Sequence, residues 1–170
     1  WNGAILQSLS HGFMTALFFA LIGMIYGRTH TRDITKLGGL LKVMPFISVI
    51  YVIAGLASLG LPGFSGFVAE MNIFVGAFQH EEMFYRVATV ISVSAIVVTA
   101  VYILRVLGIM LMGEVKNEEY LHLPKATWFE ITGILLLLIP MLGMGVAPLW
   151  LSDMTMESLQ PFIQGVLNHL

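Results

Sequence analysis

The chain has 170 residues, 58% of them hydrophobic and only 11% charged, with a mean hydropathy of +0.89. Soluble domains carry about 25% charged residues, so these charges cannot coat a globule of this size, and the composition is that of a polytopic membrane protein. A formal net charge of −2 excludes the basic field of a nucleic-acid binder, and with no cysteine disulfides and Cys-ligated zinc or iron–sulfur centres are excluded as well.

The chain opens on Trp1 without a basic segment or a cleavage site and turns apolar almost at once. It reads as a piece from inside a larger membrane protein rather than as a signal peptide. The first apolar block covers about 3–27, close to the roughly 20 residues a span needs. His11 is the one histidine embedded in an apolar span. A side chain that titrates near neutrality suits proton transfer, although a lone buried histidine also serves as an ordinary core residue. The linker that follows, 28–42, holds Arg28, Arg32, Lys36 and Lys42, and His30 within it reads as solvated.

The second block, 44–78, is about 35 residues long and would reach roughly 52 Å as one helix, against a hydrocarbon core of about 30 Å. The stretch GLPGFSG interrupts it. Pro62 lacks a donor and clashes with the preceding turn, it pushes Leu61 out of the α region, and Gly60 and Gly63 flank it. A break near 60–63 is expected. Broken helices are tolerated at membrane depth where the break is buried in protein or lines a wet cavity, and they recur at the ion sites of transporters. A kink that merely aids packing is the plainer reading. Glu70 tilts the balance, because a carboxylate at bilayer depth is costly and such residues usually face a bundle interior and serve a pathway. A structural hydrogen bond to another helix is the alternative. His11 comes early in the first block and Glu70 late in the second, which runs the opposite way, so both belong toward one side of the membrane.

His80, Glu81 and Glu82 form a short solvated linker. The third block, 83–112, carries Ser92, Thr99 and Tyr102 on one broad face, with Arg105 continuing that side; these four residues are candidates to line a hydrated path, and small hydroxyl residues also act as helix–helix contacts. The linker 113–126 holds Lys116 and Lys125. In the fourth block, 127–150, Glu130 opens the helix, where the dipole favours an anion, and Pro140 predicts a kink. The tail 152–170 is too short and polar to span. Leu159, Phe162, Ile163, Val166, Leu167 and Leu170 recur at helical spacing, and Pro161 suits a first helical turn, so a short amphipathic surface helix is expected.

The fold class is therefore an all-α membrane protein with about four transmembrane helices, the second discontinuous, and a short amphipathic C-terminal helix. Arg86 apart, the basic residues gather in or near the first and third linkers. The positive-inside rule puts 28–42 and 113–126 in the cytoplasm and the C-terminus on the outer face. No dinucleotide fingerprint, phosphate-binding loop, metalloprotease motif or nucleophile elbow is present.

The stretches SHGFMTALFFALIGMIYGRTHTRDITKLGGL and LASLGLPGFSGFVAEMNIFVGAF, with the closing IPMLGMGVAPLWL, resemble the C-terminal part of the subunit M (chain 4) family of proton-pumping NADH:quinone oxidoreductase, respiratory complex I. The wider family includes subunits of multisubunit sodium/proton antiporters. The likeness is closest over residues 9–78. It implies that His11 lies on a helix of a central hydrophilic axis and that Glu70, after the break, belongs to the proton exit route. It implies further spans, with lysines and another glutamate, on earlier helices of the same subunit, and neighbouring antiporter-like subunits in a bacterial inner membrane complex. It implies no cofactor in this chain: NADH, FMN, iron–sulfur clusters and quinone belong to other subunits. A cation/proton antiporter subunit and a purely structural membrane scaffold are the competing readings.

Overall fold

The computed structural model describes residues 2–167. Among them the chain is helical and without strands: α1 (Asn2–Thr29), α2 (Leu40–Val43), α3 (Pro45–Ser58), α4 (Ser65–Phe78), α5 (Met83–Leu111), a 3-10 turn (Glu118–His122), α6 (Trp128–Val146) and α7 (Pro148–Leu167). Helices α1, α5 and α6 are each long and apolar enough to cross a membrane. Helices α3 and α4 have 14 residues each, about 21 Å, too short alone for a core of about 30 Å. They hardly touch one another, α4 packing chiefly on α1, so they follow on as two halves of one discontinuous span rather than folding back as a hairpin.

The break covers residues 59–64. Helix α3 closes with short-range bonds, Leu59 N to Leu56 O and Gly60 N to Ala57 O, and Phe64 N returns to Leu61 O before α4 begins. Gly60 takes a positive φ of 63°, a conformation that costs an L side chain and not glycine. The rim Leu61–Gly63 is exposed, whereas Ser65 and Gly66 are buried. Ser10 of α1 and Ser65 share a buried hydroxyl hydrogen bond of 2.7 Å, which ties the start of α4 to α1.

Helix α6 closes the other side. A Cβ on Gly145 would stand 2.5 Å from Phe64 Cα and carbonyl C and would also overlap Gly63 O. These are backbone atoms, unable to rotate aside. Gly145→Ala is therefore expected to cost about 1–3 kcal/mol by overpacking and to lower the amount of assembled subunit in membranes. Gly143→Ala, where the new methyl meets nothing within 4 Å, serves as the control, and equal assembly of the two variants would refute the close fit.

The larger core joins Leu17 and Leu21 of α1, Ile47 and Ala54 of α3, Leu107 of α5 and Leu138 of α6. A smaller one at the other end joins Leu6, Ala69, Met144 and Leu151. In lipid such contacts hold by close packing, since lipid tails are as apolar as leucine. Helix α5 is the peripheral element: only 6% of its most apolar window is buried. Its buried residues are Thr89 near one end and Leu107, Met110 and Leu111 near the other, and clefts separate its middle from α4.

The two basic linkers meet at one end of the bundle. Lys116 Nζ donates to Thr35 O at 2.6 Å, and Gly39 N donates to Met112 O at 3.0 Å. Asp33 fastens a turn there by accepting from Thr35 N and Oγ1 at 2.9 and 2.6 Å, and the Thr35 hydroxyl holds its carboxyl below the ordinary range. Arg28 crosses from α1 to the start of α6, donating to both carboxylate oxygens of Glu130 at 2.9 and 2.7 Å.

The C-terminal part differs from the sequence reading. Helix α6 stops at Val146, short of 150, and α7 starts at Pro148, ahead of 152. Proline is well placed at a first helical position, and it is Pro148 that holds this place, so Pro161 falls inside α7. Asn2 pins α7 to α1, donating to Ser152 Oγ at 2.6 Å and accepting from Thr155 Oγ1 at 2.7 Å. Of the expected amphipathic stripe, Leu159 is half-buried; the side chains of Phe162, Ile163, Val166 and Leu167, and Leu170 entirely, lie outside the described residues.

Candidate functional site

Glu70 sits in the second turn of α4, and the helix break decides what its carboxyl meets. A Cβ on Gly60 would overlap Glu70 Oε2 and stand 3.1 Å from its Cδ. The carboxyl thus occupies the space that the missing side chain of Gly60 leaves, against the end of α3. That glycine does two jobs, accepting the positive φ and admitting the carboxyl.

Glu70 lines both clefts between α4 and α5. One, of about 710 Å³, is walled mainly by apolar side chains, among them Leu59, Phe67, Met71, Phe74 and Val93, with Thr89 at its edge. The other, of about 320 Å³, is more polar: Gln7 of α1 and Ser92 and Thr99 of α5 share it with Glu70. Glu70 thus stands at the partition, reachable from an apolar cleft on one side and from hydroxyl and amide groups on the other. A carboxyl so placed can hold a proton and exchange it along a short polar chain.

Of the path-lining candidates, Ser92 and Thr99 share the cleft with Glu70, while Tyr102 and Arg105 are exposed and stand apart from it. Helix geometry explains the division. At 3.6 residues per turn, Thr99 lies about 20° from the Ser92 line, Tyr102 about 80° and Arg105 about 140°, so the face thought to be shared rotates away from α4. His11 is exposed on α1, one turn beyond Gln7, and this i, i+4 spacing puts both on one side of the helix. Ser10, beside it, turns inward to Ser65. Pro62 and Gly63 lie on the exposed rim of the break and Gly60 on its inner side, against Glu70.

The sequence reading passed over Gln7, Ser10, Ser65 and Gly145. Gln7 carried a signal in its spacing of four from His11, on a helix otherwise nearly free of amides. Ser10 and Ser65 look like any small residues until the helices are placed together.

Comparisons with known proteins agree with this architecture. A family profile described as NADH:quinone oxidoreductase/Mrp antiporter, TM, matches residues 1–99. The chain is 35% identical over 147 residues to the NADH-quinone oxidoreductase subunit M of Rickettsia felis, covering 86% of this chain and 29% of that protein. It is 36% identical over 147 residues, with the same coverage, to the subunit M of Rickettsia conorii. It is 38% identical over 154 residues to an NAD(P)H-quinone oxidoreductase chain 4 of Trichormus variabilis, covering 86% of this chain and 28% of that protein. The chain therefore spans under a third of the length of the curated relatives it matches. With its profile match, its discontinuous span and its multi-pass helical build, the chain belongs to the NADH:quinone oxidoreductase/Mrp antiporter transmembrane family.

Proposed function

We propose that the chain is part of a proton-translocating, antiporter-like membrane subunit of an NADH:quinone oxidoreductase, and that Glu70 is the titrating group of a buried proton path. The observation that carries this reading is the placement of Glu70: its carboxyl is tucked against Gly60 at a broken helix and lines both clefts beside α5. A residue whose only task is packing has no need of a costly carboxyl at this depth. Protons travel between the α1 side, where Gln7 and His11 lie, and the hydroxyls of Ser92 and Thr99 on α5, with Glu70 as the station between them. Redox chemistry with NADH, FMN, iron–sulfur clusters and quinone takes place in other subunits. The names of the relatives favour an oxidoreductase subunit over a free-standing antiporter. Proton translocation by Glu70→Gln complexes tests the path and separates it from a structural scaffold.

The partners in this reading are the remainder of the same subunit, neighbouring antiporter-like subunits and lipid. The exposed His11 face of α1 is where earlier helices of such a subunit would pack. The membrane is the bacterial inner membrane, with 28–42 and 113–126 in the cytoplasm and the C-terminus on the outer face. The meeting of both basic linkers at one end of the bundle supports this orientation. Thr35 is exposed in the first linker, so a membrane-impermeant thiol reagent is expected to label Thr35→Cys from the cytoplasmic side only. Labelling from the outer side alone would reverse the assignment.

A further inference from the structure

The geometry points to Gln7 as a positioning residue that serves Glu70 in both of its protonation states, presenting its NH2 to the carboxylate and its amide oxygen to the protonated carboxyl. This deepens the proton-path reading of Glu70 and rests on it. Gln7 of α1 and Glu70 of α4 line the same cleft. Among the described residues Gln7 Oε1 is the one buried side-chain oxygen or nitrogen that takes no hydrogen bond.

Buried acceptors are nearly always satisfied, and an orphan asks for a reason. Here the chemistry of the amide supplies one. A half turn about its terminal bond exchanges oxygen and NH2 at the same reach. A carboxylate accepts only, so it takes the NH2 and leaves the oxygen without a donor. A protonated carboxyl can donate, so it takes the oxygen. The orphaned Oε1 fits the first of these two arrangements. An amide does not carry the proton. It keeps the Glu70 carboxyl aimed at one place while the proton passes between Glu70 and the hydroxyls of Ser92 and Thr99 in their shared cleft. A leucine in the same place could do neither.

The test uses the complete subunit in its assembled complex, with two readouts. The first is the infrared carbonyl stretch of protonated Glu70, identified as the band that Glu70→Gln removes. The second is proton translocation in vesicles, normalised to assembled complex. Gln7→Leu is expected to shift the Glu70 band upward, because a hydrogen bond is lost, and to slow translocation about tenfold, the worth of one such bond. Gln7→Asn, which keeps the amide on a shorter arm, is expected to fall between Gln7→Leu and the parent in both readouts, and it decides the matter if Gln7→Leu does not assemble. A Gln7 that only fills space predicts an unmoved Glu70 band and unchanged translocation in Gln7→Leu. An unmoved Glu70 band, or unchanged translocation by Gln7→Leu, overturns the role given to Gln7. Unchanged translocation by Glu70→Gln overturns the proton path itself, whereas the band shift by Gln7→Leu reports the pairing independently of pumping.

Discussion

Glu70→Gln is expected to lower proton translocation by the assembled complex about a hundredfold or more, the range set by loss of a positioned proton-transfer group, while assembly stays largely intact. The substitution keeps the shape that fills the space above Gly60. What disappears is the exchangeable proton. A buried group that no longer has to ionise removes a desolvation cost rather than adding one, so the variant should be at least as stable as the parent. Glu70→Asp should retain more activity, because a titrating group remains, although the shorter arm withdraws it from Gly60. His11→Ala should be milder still. His11 is exposed on α1 and touches neither cleft, and water or hydroxyl groups can bridge a missing relay member. The scaffold reading expects a different order, with Gln tolerated and changes of bulk most damaging. Translocation in vesicles by Glu70→Gln complexes, normalised to assembled complex, decides between them. A wild-type rate would leave the break as a packing feature only.

Much of this arrangement was legible along the chain because it is local. Pro62 between Gly60 and Gly63 predicts a break from backbone sterics alone, and the excess length of the apolar block says the same thing independently. The break then makes Glu70 conspicuous. Contacts between distant segments leave no such trace. Nothing about Gly145 says that a backbone lies against it, and Ser10 and Ser65 gain meaning only as a pair. Gly60 is half-legible: its place beside Pro62 marks the turn, but its second task, admitting the Glu70 carboxyl, depends on how the start of α4 is set beside the end of α3. The division of the α5 face has a simpler reason. Four polar residues in order along a helix drift around its axis, and only Ser92 and Thr99, seven apart, stay in line. Glu130 was read as a charge at a helix start, and it is that: Thr127 and Glu130 form a capping box. Its larger partner, Arg28, is more than a hundred residues away in the chain.

That partner carries the second large expected effect. All five N–H groups of Arg28 are used, Nε on Pro124 O at 2.9 Å, Nη1 on Met24 O at 3.0 Å and Glu130 Oε1 at 2.9 Å, and Nη2 on Lys125 O at 3.0 Å and Glu130 Oε2 at 2.7 Å. Its side chain is only 7% exposed and that of Glu130 28%. This is a planar fork meeting a carboxylate in two places while two of its remaining donors close the turn before α6 and one holds Met24 O of its own helix, a task for which lysine, a point charge, is no substitute. Removing one partner leaves the other charge poorly solvated, which costs about 3–5 kcal/mol for a buried pair. The site lies at the basic end of the bundle and Glu130 retains some water, so the lower figure applies. Arg28→Ala and Glu130→Ala are each expected to destabilise the junction of α1 and α6 by about 3 kcal/mol and to lower the temperature at which the purified complex loses the subunit. Arg28→Lys should fall between these variants and the parent. The double variant Arg28→Ala, Glu130→Ala should be less damaging than the sum of the two singles, because the second change removes the uncompensated charge that the first one leaves. The measurement is thermal dissociation of the parent and the four variant complexes in detergent. Singles that melt with the parent would reduce the pair to an ordinary exposed contact worth about 0–1 kcal/mol, and strict additivity would show that Arg28 acts through the carbonyls of Pro124 and Lys125 rather than through Glu130.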